Sequence, residues 1–201
     1  MGEREKIEKM NKKTVSLTKE QYENLIKTIK EGCAMFRPNL RAATCLVIEA
    51  NLGIRISDVL NLRLNSIIQD GSDSNGNPRY RLNIVEKKTK KKRTFTVPSE
   101  LRDYLRNYAD INNLRPSDIL FDVTERQVQR VLKKACDYLG YEGISTHSFR
   151  KFYATNVYSQ THDILLVKHL LQHSDVKTSQ VYIGIAPERV EKAIQQNLNL
   201  I

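Results

Sequence analysis

Two arginines, two histidines and a tyrosine mark the places in this chain where chemistry could occur. They are Arg55 in Gly53-Ile54-Arg55-Ile56-Ser57-Asp58, His147 and Arg150 in Thr146-His147-Ser148-Phe149-Arg150, His173 in Leu171-Gln172-His173-Ser174-Asp175, and Tyr182 after Val181. Guanidinium groups match phosphate oxygens bidentately, and a phenol can attack phosphorus. Two arginines converging on one phosphate would neutralise its non-bridging oxygens as charge builds in the transition state. A phenol with a pKa of about 10 is protonated at neutral pH, so it needs a base or cations beside it. Any one of these residues alone reads as a surface ion pair or a packed ring. The ordered set reads as phosphoryl transfer.

These side chains need elements to position them. A helix beginning near Thr146 places His147 and Arg150 on one face, a turn apart. Arg55 follows a helix that should run from about Pro38 to Leu52 and stop at Gly53, where a side chain can project into a cleft. Ser57-Asp58 opens a short helix, and Asp58 either buttresses the arginines or caps that helix. Upstream, Thr18 with Gln21 reads as a capping box for a helix carrying Tyr22, Leu25, Ile26 and Ile29.

Residues 70–78 are dense in turn formers and should join two strands. Tyr80, Leu82 and Ile84 alternate with polar neighbours, and Thr94-Phe95-Thr96-Val97 is the next strand-type run, with a lysine-rich turn between them. Helices are predicted over 99–112, over 124–139 with Thr124 and Gln127 as a capping box and Gly140 as the stop, and at about 147–158, 163–172 and 187–198. Tyr104, Tyr108, Tyr138 and Tyr153 fall on amphipathic helices, as core. His162 is read as a helix-start residue and His169 as surface or partial core. The fold class is α+β, mainly helical with a small antiparallel three-stranded sheet.

Composition sets the partner. The chain has 201 residues, 40% apolar and 28% charged, enough for one domain that buries roughly 70% of its unfolded surface. No apolar run approaches the ~20 residues of a membrane span, and the N-terminus lacks a signal-peptide core, so a cytoplasmic protein with no membrane partner is expected. Cys33, Cys45 and Cys136 have no metal-site spacing and read as reduced, packed thiols. No acidic cluster suits Mg²⁺, so neither metal nor cofactor is expected. The net charge of +10 favours a polyanion, and Lys87, Lys88, Lys90, Lys91, Lys92 and Arg93 crowd one segment as candidate DNA-phosphate contacts. With no Trp and no close aromatic stacking pattern, duplex DNA fits better than RNA.

From about residue 16 onward the chain resembles the catalytic domain of the tyrosine recombinase (phage integrase) family. The family pattern is an Arg in Gly-x-Arg-x-Ser-Asp/Glu, a Lys on a β-hairpin, His-x-x-Arg, Leu-x-His and a Tyr at fixed spacing beyond that His. Here the pattern falls on Arg55, Lys88, His147, Arg150, His173 and Tyr182. The resemblance implies that Tyr182 is the nucleophile, forming a 3′-phosphotyrosyl link, with His147 as base and His173 donating a hydrogen bond to the phosphate. Lys88 resembles the hairpin lysine that protonates the leaving 5′-oxygen and is expected at the end of the Leu82–Val85 strand, with Lys90, in the turn itself, as the alternative.

Residues 1–15 are expected to be an arm or linker remnant and 16–201 the catalytic domain, either excised from a longer integrase or a short inversion-type recombinase. The implied activity is site-specific recombination without metal or ATP, by a monomer in solution that assembles as a tetramer on its DNA site. The apolar stripe Val190, Ile194 and Leu198 should dock on a neighbouring protomer or fold back. The alternative function is a catalytically silent DNA-binding regulator on the same fold.

Overall fold

The computed structural model describes residues 14–88, 90–173 and 175–183. The expected arm before residue 14 and the tail helix at 187–198 lie outside the described residues, as does the side chain of Tyr182.

The helices are α1 (Lys19–Glu31), α2 (Leu40–Leu52), α3 (Ile56–Val59), α4 (Ser99–Ile111), α5 (Glu125–Leu139), α6 (Thr146–Thr161), α7 (Ile164–Leu171) and α8 (Val176–Ile183). Strands β1 (Ile67–Ser72), β2 (Pro78–Val85) and β3 (Lys92–Val97) form one antiparallel sheet in the order β1-β2-β3. The two predicted capping boxes form: Thr18 with Gln21 opens α1, and Thr124 with Gln127 opens α5. β1 extends into the stretch read as a turn, leaving Asp73–Asn77 as the reversal, where Asp73 Oδ1 accepts from the Asn75 and Asn77 amides.

The core is built where apolar faces of α1, α2, α4, α5 and α6 converge. Leu25, Ile29, Leu46, Ile48, Ile54, Leu105, Leu132 and Phe149 are all essentially inaccessible to solvent. Burying side chains of this size stabilises by about 1.5–3 kcal/mol each. A second, small cluster of Ala154, Val167 and Leu171, joined by Ile183, holds α7 and α8 against α6. α8 therefore rests on far less apolar packing than α2 does.

Four expectations change. Tyr138 is 52% exposed, because its position on α5 turns away from the core that Val128, Leu132 and Ala135 enter. His162 closes α6 rather than starting the next helix: it sits at φ 54° and its N–H donates to Tyr158 O, while Asp163 caps α7. α3 starts one residue after Arg55, so Asp58 lies inside it and caps nothing. Lys88 stands in the 86–91 turn rather than at a strand end, since β2 stops at Val85, which pairs with Lys92.

Candidate active site

Gly53 makes the site possible. It ends α2 at φ 60°, and a Cβ there would fall 2.3 Å from Tyr153 Cδ1 on α6. Only a residue without a side chain allows α2 and α6 to approach so closely. The chain then straightens, and Arg55 caps α3 in extended conformation.

Arg55 reaches a cleft of about 820 Å³ lined by Arg55, Lys91, Lys92, Leu165, Lys168, His169, Gln172, His173 and Thr178. Its Nη1 donates to Glu86 Oε2 at 2.8 Å. Arg150 is 1% exposed and stands in the wall between two helix ends, with one terminal nitrogen donating to Gly53 O and Nη2 donating to Leu171 O at 2.8 Å. Helix C-termini carry negative partial charge, so a cation bridging two of them is well placed.

His173 Nδ1 lies 3.0 Å from Ser179 Oγ on α8, and Ser179 is fully buried. Burial, and then the Arg150 and Arg55 charges, push the His173 imidazole down to about 4. His147, on the first turn of α6, is also lowered, by partial desolvation first and by Arg150 next. Both rings are therefore neutral at physiological pH, which a base and a neutral hydrogen-bond donor require. Tyr182 lies on α8 by its backbone, downstream of Ser179 on the same helix.

The structure gathers Arg55 and His173 in the cleft, with Arg150 behind them and His147 within electrostatic reach of both arginines. Lys88 is exposed on the turn; the lysines lining the cleft are Lys91 and Lys92 on one side and Lys168 on the other. Lys87 and Lys90 are exposed as well. Arg93, expected among the phosphate contacts, is instead 5% exposed. Its Nη1 donates to Glu86 Oε1 at 2.6 Å, its Nη2 donates to Leu170 O, and its guanidinium covers the Phe95 ring at 3.9 Å. Two of its donors are thus engaged inside the protein rather than on the surface face its neighbours in the run present. Asp58 does not cap α3; its Oδ1 accepts from the Lys87 amide at 2.8 Å, tying the hairpin to α3, and its charge acts on Arg93.

Sequence reasoning missed Glu86, Lys168 and Gln172, and read His169, which is exposed, only as surface or partial core. Glu86 had a signal: it is an acidic residue heading a cationic run, with no other counter-charge nearby in sequence. The other three had one in hindsight, since they recur at helical spacing with Leu165 along α7 and its cap. Among the described residues, no group of three or more His, Cys, Asp or Glu could hold a metal ion, and no helix is long and apolar enough to cross a membrane.

A sequence model of the phage integrase family matches residues 15–189. The probable integrase/recombinase YoeC of Bacillus subtilis is 26% identical over 166 residues, covering 79% of this chain and 86% of that protein. The tyrosine recombinase XerA of Pyrococcus furiosus is 25% identical, covering 90% of this chain and 61% of its own length. Among solved structures, the XerH recombinase bound to palindromic difH substrate aligns with a TM-score of 0.67 at 22% identity, over 90% of this chain and 53% of XerH. The catalytic domain of bacteriophage HP1 integrase aligns at 0.62 and 20% identity, over 92% of this chain and 96% of that domain. The chain thus spans about half to three-fifths of the Xer recombinases and nearly the whole of an isolated catalytic domain.

Proposed function

The chain belongs to the phage integrase family, and from that premise we infer that it cuts and rejoins duplex DNA at a specific site through a 3′-phosphotyrosine intermediate. The observation that carries this reading is the cleft lined by Arg55, His173 and three lysines, with Arg150 buried behind it. A cavity with this charge fits a phosphodiester, and the neutral histidines suit proton traffic rather than bulk charge.

In the reaction, Arg55 and Arg150 neutralise the non-bridging oxygens of the scissile phosphate. His173 donates a hydrogen bond to it. Tyr182 Oη attacks phosphorus as His147 takes its proton, the P–O5′ bond breaks, and Lys88 supplies the proton that the 5′-oxygen needs. The new phosphotyrosyl ester conserves the energy of the bond that broke. A free 5′-hydroxyl can therefore reverse the step on a new strand without ATP, and the fixed cations provide the charge neutralisation that a metal would otherwise give. Lys87, Lys90, Lys91 and Lys92 add phosphate affinity without reading sequence.

Relatives named as tyrosine recombinases, and the XerH site-specific recombinase solved on its difH substrate, support a duplex recombination site as the partner. We take the protein to act in the cytoplasm, as a monomer that assembles into a tetramer on DNA.

The test is a nicked suicide substrate carrying the recombination site. The parent chain should become covalently joined to DNA. Tyr182→Phe should bind the duplex within a few-fold of the parent and form no adduct. An adduct with the Phe variant would overturn the assignment of the nucleophile.

A further inference from the structure

We propose that Glu86 is a positioning residue for strand cleavage: its buried carboxylate holds Arg55 in place for the scissile phosphate and ties the lysine turn to that arginine. The proposal rests on the reading of Arg55 as a phosphate-binding cation.

Glu86 is 0% exposed, yet it stands one residue beyond β2, at the base of the turn that carries Lys87 and Lys88. Burying a carboxylate is costly unless it is paired, and here two guanidinium groups pair it from opposite oxygens. Oε2 accepts from Arg55 Nη1 at 2.8 Å and Oε1 accepts from Arg93 Nη1 at 2.6 Å. Arg93 in turn donates to the Leu170 carbonyl, near the end of α7 and close in sequence to His173. The Arg55 and Arg93 charges oppose each other, so the carboxylate between them is what lets both stay.

The backbone of the same residue closes the hairpin. Its N–H donates to Lys91 O at 3.0 Å, and its carbonyl accepts from the Lys90 N–H at 2.9 Å. The next amide, that of Lys87, is held by Asp58 on α3. One residue thus joins three parts of the site: the cation at the N-cap of α3, the lysine turn and, through Arg93, the segment that leads into His173.

Fixing one arm of a guanidinium leaves its other N–H groups free for an anion and reduces the rotamer freedom lost when phosphate binds. Arg55 is 20% exposed at its side chain, enough to present those remaining donors to the cleft. Glu86 does not touch the phosphate in this scheme; it acts through Arg55.

A mutant cycle tests this by single-turnover cleavage of the suicide substrate, with duplex affinity and thermal midpoint measured on every protein. Glu86→Gln should slow cleavage about 10- to 100-fold, the scale of a misplaced reacting group, with duplex affinity within about three-fold. On the Arg55→Ala background the same substitution should add little, because the group it positions is already gone. Millimolar guanidinium should restore part of the Arg55→Ala rate while Glu86 is present, and none in Arg55→Ala with Glu86→Gln.

If Glu86→Gln does not fold, Glu86→Asp replaces it in the cycle, since its shorter carboxylate keeps the charge but cannot span both arginines. A Glu86 effect that multiplies fully onto Arg55→Ala, or guanidinium rescue independent of residue 86, would show a fold staple only and overturn the proposal. Parental cleavage by Arg55→Ala alone would overturn the phosphate reading itself, and this proposal with it.

Discussion

His173 Nδ1 lies 3.0 Å from Ser179 Oγ, a contact that couples the tautomer of the imidazole to a hydroxyl on α8. The ring is neutral, with its pKa at about 4, so one nitrogen carries a proton and the other does not. If the Ser179 hydroxyl donates to Nδ1, the proton sits on Nε2, which makes that nitrogen a donor. Ser179 also belongs to α8, so the same contact links this histidine to the helix that carries Tyr182.

Ser179→Ala should therefore lower the single-turnover cleavage rate by about ten-fold, through loss of the favoured tautomer, while duplex affinity stays near the parental value. Cleavage and binding measured side by side check this. Equal losses in both would point to disruption of α8 instead.

The pH dependence of stability has two opposed limbs. His173 is depressed in the fold, so its contribution is complete above the ordinary histidine value near 6.5 and is lost as pH falls toward about 4. Glu49 lies in α2 with both carboxylate oxygens buried, and burial raises it well above the carboxylate range against the pull of Arg150 and of the Ile56 backbone. The unfolded chain releases that proton more readily, so Glu49 destabilises increasingly as pH rises past its unfolded value. Glu49→Gln should raise the thermal midpoint at pH 8 more than at pH 5. Melting curves at the two pH values settle the sign.

Gln172 closes α7 at φ 52°, a left-handed conformation that a Cβ disfavours by roughly 1–2 kcal/mol. Gln172→Gly should stabilise the protein by up to about 1 kcal/mol, the relief of strain being partly offset by the greater freedom of glycine when unfolded. Denaturant unfolding measures it. A lower midpoint would mean that the Gln172 side chain contributes more to the cleft wall than its backbone costs.

Lys88 and Lys90 separate on a DNA substrate with a 5′-bridging phosphorothiolate, whose sulfur leaves without a proton. Lys88→Ala should be crippled on ordinary DNA and largely rescued on this substrate, and Lys90→Ala should match the parent on both. Lys90 sits at φ 57° in the turn that also carries Lys88. The reverse pattern would move the role to Lys90.

What the sequence made legible is local. The capping boxes at Thr18 and Thr124, the stop at Gly53 and the placement of Arg55 just beyond it depend on neighbours a few residues away, and each formed as expected. The burial of Arg93 was not legible because its partners are distant: Glu86 across the hairpin and Leu170 in α7 draw it inward, while its position in a cationic run suggested a solvated face. Glu49 passed unnoticed for a similar reason, since a lone carboxylate in an apolar helix declares itself only when the packing around it is known. His169 and Gln172 needed the geometry of α7 against Arg55 before a cleft existed for them to line.

Arg150 carries a lesson about descent. Its guanidinium joins the carbonyl ends of α2 and α7 at Gly53 and Leu171, so the residue is a structural tie whatever it does to DNA. A lineage that abandoned strand cutting would still be under pressure to keep it, because its loss leaves two helix ends unsatisfied inside the protein. Its presence in a distant cousin thus testifies mainly to the fold. The phenol of Tyr182 is the more candid witness to activity, and a survey of such cousins should find the tyrosine eroding well before this arginine does.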